Sequence, residues 1–244
     1  MLWRAVGASV IGASHVASEV RCQDHHAYAL VQRAGGDALL IAVADGAGSA
    51  AASFHGAKTA VDEALRFPGE ALDPLGARVI AGCFAAARAR VLDVAAEGDR
   101  DPREYASTLL VVAATADGTL AGQIGDGAVV IDDGELRALT WPQQGEYANS
   151  THFLVDDDAL DRVALAEAGP AQRIAAFTDG LQSLALQFET RTPFEPFFAP
   201  FFAYLETTPK ADGEIERELR AYLESEPVNA RTDDDKSLVL AVRR

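Results

Sequence analysis

The chain has 244 residues, of which 49% are hydrophobic and 24% charged, and its formal net charge is −16. This length and apolar fraction are typical of a globular domain that folds alone, and they exclude a disordered or fibrous chain. The negative charge disfavours nucleic acids and anionic membranes as partners, and no cluster of Lys and Arg in the sequence reverses this locally. We therefore expect one soluble domain over residues 1–244, with neither nucleic acid nor membrane as a partner.

The cysteines and the first residues indicate where the protein works. Cys22 and Cys83 lie far apart and match no disulfide or metal-ligand spacing, which favours a reduced, cytoplasmic compartment. The N-terminal apolar run is interrupted by Gly7 and Gly12, so it predicts a strand rather than a signal peptide. No stretch approaches the roughly 18 to 20 apolar residues of a membrane-spanning helix.

The first half of the chain reads as strands, then a pair of helices, then strands again. Short apolar runs predict a strand from Leu2, a second over 27–32 and a third over 38–44. Ala-rich stretches with apolar residues at helical spacing predict helices over 54–66 and 74–97. Strands are expected next, joined by glycine turns into an antiparallel meander. They cover 107–115, 119–124 and 128–132.

The second half mixes short strands with helical segments. Strands are expected near 161–166 and over 173–178, a charged helix over 214–224 and a closing strand over 237–242. The segment 193–205 holds most of the aromatic residues, and we expect Pro196 and Pro200 to prevent one continuous helix there. This order predicts an α+β fold, in which two packed antiparallel sheets are flanked by helices.

Asp-Gly pairs occur at Asp45, Asp117, Asp133 and Asp179, and Asp126 lies between two glycines. Most Asp-Gly pairs are hairpin turns, and Asp117 and Asp133, with strand-like residues on both sides, need be nothing more. Asp45 and Asp179 differ, because each ends an apolar strand and precedes a predicted helix. Their carboxylates are therefore expected at the ends of sheet strands.

Two further acidic groups have similar positions, since Asp24 begins the second strand and the run Asp233–Asp235 precedes the last. Carboxylate oxygens are the ligands that Mg²⁺ and Mn²⁺ prefer. Two such ions about 3.5 to 4 Å apart can hold a nucleophile derived from water for in-line attack on a phosphoryl group. Two divalent cations would also change the formal charge from −16 to −12 and concentrate positive charge where a phosphorylated substrate binds.

In their order along the chain, these segments resemble the type 2C metal-dependent protein phosphatase family, the PPM phosphatases, and in particular its compact bacterial subgroup. The motifs are Gln23-Asp24, Val43-Ala44-Asp45-Gly46-Ala47-Gly48-Ser49, Ser107-Thr108-Leu109, Gly125-Asp126-Gly127, Phe177-Thr178-Asp179-Gly180-Leu181 and Asp234-Asp235-Lys236-Ser237. The similarity runs through nearly the whole chain, and it implies an α-β-β-α sandwich of two antiparallel sheets.

The resemblance also implies roles for the aspartates at two Mn²⁺ or Mg²⁺ ions. Asp45 would bridge both ions and the Gly46 carbonyl would bind one of them. Asp24 would lie near the second ion, and Asp179 and Asp234 would complete the first. Water on the ion pair would be the nucleophile, which makes Asp45, Asp179 and Asp234 the expected catalytic aspartates.

Asp126 has two interpretations that the sequence leaves open. It is either a ligand of a third, weaker ion, as in some bacterial relatives, or a turn residue between two glycines.

The chain departs from the family pattern at three positions. Ala47 stands where many relatives have a histidine considered the general acid, Glu19 where many have a phosphate-binding arginine, and Gln23 where many have a glutamate. Our hypothesis is that His15 takes over phosphate contact or proton transfer, the alternative being a structural histidine. Arg21 is the nearest cation in the sequence and a weaker candidate for phosphate contact.

The function implied by the resemblance is hydrolysis of phosphoserine and phosphothreonine in proteins. The expected partner is a phosphorylated protein that a Ser/Thr kinase modifies, and the expected enzyme is a signalling, cytoplasmic monomer. Two alternatives remain: a regulatory module that has lost turnover, motivated by Ala47 and Glu19, and a two-metal hydrolase of a small phosphorylated molecule. The segment 145–149 is either a substrate-facing flap or a plain loop.

Overall fold

Two antiparallel β-sheets pack face to face, and helices cover both outer faces. The computed structural model describes residues 3–33, 36–66, 76–144 and 151–244. In that part of the chain the strands are β1 (Trp3–Val10), β2 (His25–Val31), β3 (Ala38–Ala44), β4 (Leu109–Ala114), β5 (Thr119–Ile124), β6 (Ala128–Asp132), β7 (Leu136–Thr140), β8 (Ala164–Ala168), β9 (Arg173–Phe177), β10 (Leu186–Gln187), β11 (Thr192–Pro193) and β12 (Lys236–Arg243). The helices there are α1 (Ala13–Ala17), α2 (Ser53–Arg66), α3 (Ala77–Glu97), α4 (Gln182–Ala185), α5 (Glu195–Thr207), α6 (Asp212–Leu223) and α7 (Glu226–Asn229).

The sheets have different strand orders but one pairing sense. One sheet has the order β1-β12-β9-β6-β7 and the other β2-β3-β4-β5-β8, and every neighbouring pair is antiparallel. In the first sheet β12 lies between β1 and β9, with Leu238 opposite both Ala8 and Phe177. The α+β sandwich predicted from the sequence is confirmed.

Alternation along each strand divides the core into layers. Odd positions of β3, such as Leu39 and Ile41, lie in the layer between the sheets, whereas Leu40 and Ala42 pack on the side of α2 and α3. Because β3 is buried on both faces, its sequence is an unbroken apolar run. The other sheet is covered by α5 and α6, and Phe198 and Leu219 are buried in that third layer.

Most predicted elements are confirmed, several at their bounds. The strands over 38–44, 119–124 and 128–132 match β3, β5 and β6, and α2 begins one residue before the predicted helix. The prediction for 161–166 was wrong in part, because 159–162 forms a 3₁₀ turn and β8 begins at Ala164. Asp117 and Asp133 lie in the hairpins β4–β5 and β6–β7, as expected of turn residues.

The predicted meander was wrong at the turn after β5. β5 pairs with β4 and β8, whereas β6 pairs with β7 and β9 in the other sheet. The turn Gly125-Asp126-Gly127 therefore crosses between the sheets instead of closing a hairpin. It is held by the buried Gln123, whose Nε2 donates to the carbonyl oxygens of Gly125 (2.8 Å) and Gly127 (2.9 Å).

The expectation that prolines would break the aromatic segment was also wrong, since α5 runs without interruption over Glu195–Thr207. Pro196 is in the first turn, where a backbone N–H has no helical acceptor to lose. Pro200 lies inside the helix, at a cost of about 3 kcal/mol. Burial of Phe198 and Phe202 against the sheet outweighs that cost.

The sequence pattern does not predict α1. Its single turn is too short to show helical periodicity, so His15 lies on a helix rather than near the end of a strand. Among the described residues no helix is long and apolar enough to cross a membrane.

Close packing of α2 gives a stability prediction at Gly56. A Cβ added there would lie 2.0 Å from the backbone oxygen of Tyr105. Helix propensity therefore predicts that Gly56→Ala stabilises the protein, whereas packing predicts that it destabilises the protein. We expect Gly56→Ala to lower the free energy of unfolding by about 2 kcal/mol or more in urea denaturation.

The matched control is Gly213→Ala in α6, where an added Cβ meets no atom within 4 Å. We expect this variant to keep or raise the free energy of unfolding, by up to about 1 kcal/mol. Equal effects of the two substitutions would show that the close approach of α2 to Tyr105 is not a constraint on the fold.

Candidate metal centre

Asp45 follows β3 directly, and its backbone is fixed from both sides by the start of β4. The Asp45 N–H donates to Thr108 Oγ1 at 2.9 Å, and the Thr108 N–H donates to the Asp45 carbonyl at 2.8 Å. Gly46 forms an isolated bridge with Ser107 in the same region. The first aspartate of the cluster is therefore placed by the central strands of a sheet, not by a free loop.

Gly46 lies in a crowded place where three segments meet. An added Cβ would be 2.9 Å from the carbonyl oxygen of Gln23 and from the Cβ of Ser53, at the start of α2. This packing brings the residues before β2 against the turn after β3. A side chain at position 46 would push the two segments apart.

Asp24 is 2% exposed and joins the two sheets through a hydrogen-bond chain. Thr178 Oγ1 donates to Asp24 Oδ2 at 2.7 Å, and the Ser237 N–H donates to the same Thr178 oxygen at 2.9 Å. The start of β2 is thereby linked to the end of β9 and to β12. Thr178 belongs to one of the sequence motifs, but the sequence does not indicate which group its hydroxyl contacts.

Asp179 follows β9, and the next residue makes the closest backbone contact of this region. A Cβ on Gly180 would lie 1.9 Å from the backbone oxygen of Asp235. Gly180 therefore allows the Asp179 turn to lie directly against the segment that carries Asp234. The chain thus brings the two predicted ligands of the first ion side by side.

The carboxyl groups interact strongly with one another. Burial raises the pKa of Asp24 to about 7, and Asp24 and Asp45 are close enough to share a proton. Burial, followed by the charges of Asp24 and Asp179, raises the pKa of Asp45 well above its usual range. Burial raises the pKa of Asp179 to about 8, with further contributions from the charges of Asp126, Asp234 and Asp24.

The two remaining aspartates belong to the same cluster. Burial is the main cause that raises the pKa of Asp126 and that of Asp234, and the charge of Asp234 also acts on Asp126. Each of the five aspartates predicted from the sequence therefore interacts electrostatically with at least two of the others. We call them the carboxylate cluster: Asp24, Asp45, Asp126, Asp179 and Asp234.

The donor set fits hard divalent cations. Among the described residues, buried oxygens without a hydrogen-bond partner include Asp24 Oδ1, Asp126 Oδ1 and Asp179 Oδ1. An unpartnered buried oxygen is costly, and raised carboxyl pKa values mean that nearby positive charge would stabilise the cluster. Mg²⁺ and Mn²⁺ meet both needs because they bind carboxylate oxygens.

The cluster does not form a ready-made cage. In the described ranges no three His, Cys, Asp or Glu side chains are grouped so that they could hold one ion. Mg²⁺ usually takes one or two carboxylates and keeps several waters, so it does not require such a group. The spread of donors over several strand ends suits ions that share ligands.

Asp126 is held at the crossover between the sheets. Gln182 Nε2 donates to the Asp126 carbonyl at 2.7 Å, and Gly125 on one side has a φ of 107°, which favours glycine. The backbone at Asp126 is therefore tied to the segment after Asp179. Asp126 is therefore a turn residue at the crossover between the sheets, and its role as a metal ligand stays a prediction.

His15 lies beside an aspartate that sequence reasoning missed. His15 Nδ1 is 2.9 Å from Oδ2 of Asp235, which is 1% exposed. The Asp235 carboxylate accepts the N–H of Gly12 and that of Gln23, each at 2.6 Å. The sequence analysis assigned a role to Asp234 and none to Asp235, whose only signal was its place directly before a buried strand.

Ala47 and Glu19, two of the departures from the family pattern, differ in exposure. The Ala47 N–H donates to the Ala106 carbonyl, and the methyl group is buried. Glu19 is exposed, with a φ of 57° after α1. The Arg21 guanidinium lies 3.5 Å from the centre of the Phe54 ring, so it is engaged by α2 rather than by the aspartates. The segment 145–149 lies outside the described residues.

Comparison with known proteins gives a consistent result. A family model described as "Protein phosphatase 2C" matches residues 11–224. Serine/threonine-protein phosphatase 3 of Escherichia coli (strain K12) is 39% identical, and the match covers 99% of each chain. The S. agalactiae serine/threonine phosphatase superposes with a TM-score of 0.68 at 16% identity, over 100% of both chains. The catalytic domain of the phosphatase PstP, in complex with two manganese ions, has a TM-score of 0.61 at 20% identity, over 98% of this chain and 97% of that one.

The raised carboxyl pKa values predict how the metal-free protein responds to pH. Asp24 and Asp179, with pKa values of about 7 and about 8, bind protons more tightly than unfolded carboxyl groups do. Their contribution to stability is therefore complete below about pH 4 and is lost as the pH rises through 7 to 8. With a chelator present, we expect the Tm to fall between about pH 4 and pH 8, and Mn²⁺ to restore it.

Asp179→Asn should flatten this dependence, because it removes one of the groups that titrate. Asp117→Asn, a change at an exposed turn, should leave it unaltered. A Tm that rises with pH in the chelated protein would mean that the aspartates are not crowded together in solution.

Proposed function

This chain belongs to the protein phosphatase 2C family, and from that premise we propose that it is a metal-dependent protein serine/threonine phosphatase acting at the carboxylate cluster. The observation that carries the proposal is the convergence of Asp24, Asp45, Asp179 and Asp234 from four separate segments. A fold could place each aspartate as a solvated turn residue. Burying them together is costly unless cations bind there.

We assign two Mn²⁺ or Mg²⁺ ions to the cluster. Asp45 would bridge both, the Gly46 carbonyl and Asp179 and Asp234 would complete one site, and Asp24 would serve the other. Three carboxylates on one ion would have to lie closer together than the described residues place them. Asp126 is proposed as a ligand of a third, weaker ion. When bound, the two ions supply an activated water nucleophile and neutralise charge that develops on the phosphoryl oxygens.

The contribution of the chain itself is to hold these donors in place. Thr178 fixes one oxygen of Asp24, so the other oxygen keeps a defined direction. Thr108 fixes the backbone of Asp45 on both sides. Lys236 is fully buried, and its Nζ donates to Asn229 Oδ1 (2.9 Å) and to the Asp234 carbonyl (3.2 Å), so it adds positive charge beside the cluster.

A protein substrate suits the surface beside the cluster. A cleft of about 530 Å³ extends from Ala47 and Ser49 to Phe153 and Asp156. A space of that size admits side chains on either side of a phosphorylated residue, in addition to the phosphoryl group. We propose that the substrate is a protein phosphorylated by a Ser/Thr kinase.

The setting of the enzyme follows from its composition. The proposal places it in the cytoplasm, in signalling, as a monomer formed by one domain over residues 1–244, with no nucleic acid or membrane partner. Support comes from the net charge of −16 and from Cys22 and Cys83, which are both free thiols.

The decisive test is Mn²⁺-dependent release of p-nitrophenol from its phosphate ester. We expect Asp45→Asn and Asp179→Asn each to lower kcat/KM by at least about 100-fold, because each loses a metal ligand. Titration calorimetry should show weaker Mn²⁺ binding to the same variants. Asp133→Asn, on the surface hairpin with Arg137, is the matched control and should behave as the wild type.

Failure of turnover in a wild type that still binds Mn²⁺ would favour a regulatory module instead. Turnover on p-nitrophenyl phosphate without activity on any phosphopeptide of a panel would favour a small phosphorylated substrate. Turnover that survives chelation would contradict the metal-dependent mechanism itself.

A further inference from the structure

Hydrolysis of a serine phosphate must release a serine oxygen, which is a poor leaving group until it gains a proton. The methyl group of Ala47 cannot donate one. Of the nearby histidines, His25 lies 3.7 Å from Asp62 on the α2 side, and His26 Nδ1 is 2.6 Å from Ser9 Oγ. His15 differs from both, because the segment it contacts is the one that carries Asp234.

The Asp235 carboxylate lies against the imidazole of His15 and is itself held in place by the backbone. Its two oxygens are themselves held by backbone donors, Oδ1 by the Gly12 N–H and Oδ2 by the Gln23 N–H. The oxygen that meets His15 Nδ1 therefore cannot follow the ring if the ring turns. His15 Nδ1 lies 2.9 Å from Asp235 Oδ2, an ion-pair contact without hydrogen-bond geometry, and the other ring nitrogen, Nε2, lies on the opposite side of the imidazole.

We propose that Asp235 is a positioning residue that orients His15, and that His15 is the general acid of this phosphatase. The inference rests on the proposed function. It goes further by assigning to a different element, α1, the proton that Ala47 cannot supply.

The step balances as an ordinary hydrolysis. The oxygen of the attacking water forms a bond to phosphorus, and the bond from phosphorus to the serine oxygen breaks with its electron pair on that oxygen. The proton on His15 Nε2 passes to the serine oxygen. The proton lost by the water is released, and His15 is reprotonated from solvent before the next turnover.

The leaving group separates an acid from any other role of His15. p-Nitrophenolate leaves without a proton, whereas phenolate and a serine alkoxide need one. We expect His15→Ala to keep kcat on p-nitrophenyl phosphate within about 3-fold of the wild type. On phenyl phosphate and a phosphoserine peptide the same variant should lose about 100-fold.

The role of Asp235 is tested by coupling. Asp235→Asn keeps the shape of the side chain, and it should reduce turnover of the poor leaving groups by about 10-fold while sparing p-nitrophenyl phosphate. Because Asp235 acts through His15, the double variant should be no slower than His15→Ala alone. The matched control is Asp233→Asn, which removes the same charge two residues away at an exposed position. It should leave the turnover of both kinds of substrate unchanged.

Three outcomes would overturn the inference. If His15→Ala lowered turnover equally on substrates with good and poor leaving groups, His15 would be a phosphate-binding residue instead. If the losses of turnover from His15→Ala and Asp235→Asn added up in the double variant, Asp235 would have only a structural role. Should Asp235→Asn not fold, the His15→Ala comparison still decides, because that variant retains both backbone contacts of Asp235. A wild type without any metal-dependent turnover would instead sink the proposed function, and this inference with it.

Discussion

Repulsion among buried carboxylates is the constraint on which this structure depends. Burial raises the pKa of Asp24, Asp45 and Asp179, and at Asp45 and Asp179 the charges of neighbouring aspartates raise it further. Without cations, protons and neutral donors such as Thr178 must offset that repulsion. The rest of the fold can be understood as a frame that keeps these groups together against their own charge.

The frame is built from strands that cannot shift. β3 and β9 are buried along nearly their whole length, and a slip of one residue would move every apolar side chain to the wrong layer. β12 lies between β1 and β9, which fixes where Asp234 and Asp235 leave the sheet. Burial along each strand sets the register of the sheet, and the register in turn fixes where the aspartates at the strand ends lie.

Much of this could be predicted from the sequence, because the features concerned are local and long. An apolar run such as Ala38–Ala44 and the Ala-rich pattern of Ala77–Glu97 have clear periods, and the Asp-Gly pairs that follow apolar strands could be told apart from hairpin turns. Positions at strand ends also indicated Asp24 and Asp234, whereas the sequence left Asp126 with two interpretations.

The features that could not be predicted from the sequence depend on contacts between residues that are distant in the chain. Gln123 directs the chain across to the other sheet, although nothing in the segment around Gly125 distinguishes a crossover from a hairpin. Pro200 is tolerated in α5 because aromatic burial outweighs its local cost. Asp235 gains its role only from Gly12, His15 and Gln23, which are more than 200 residues away in the chain.

The cost of the carboxylate cluster bears on whether this chain is an active enzyme or a binding module that only keeps the fold. A module that recognises partners by its surface needs the sandwich but not the buried charges. Neutral side chains at Asp24, Asp45 and Asp179 would relieve the repulsion and leave the layers of the core intact. The chain instead keeps these charges and also buries Lys236 and Asp235 beside them. Such an arrangement is stable only with compensating cations or protons, and cations at strand ends are what a phosphatase reaction requires. The alanine at position 47 is therefore consistent with a proton donor on another element, as proposed for His15.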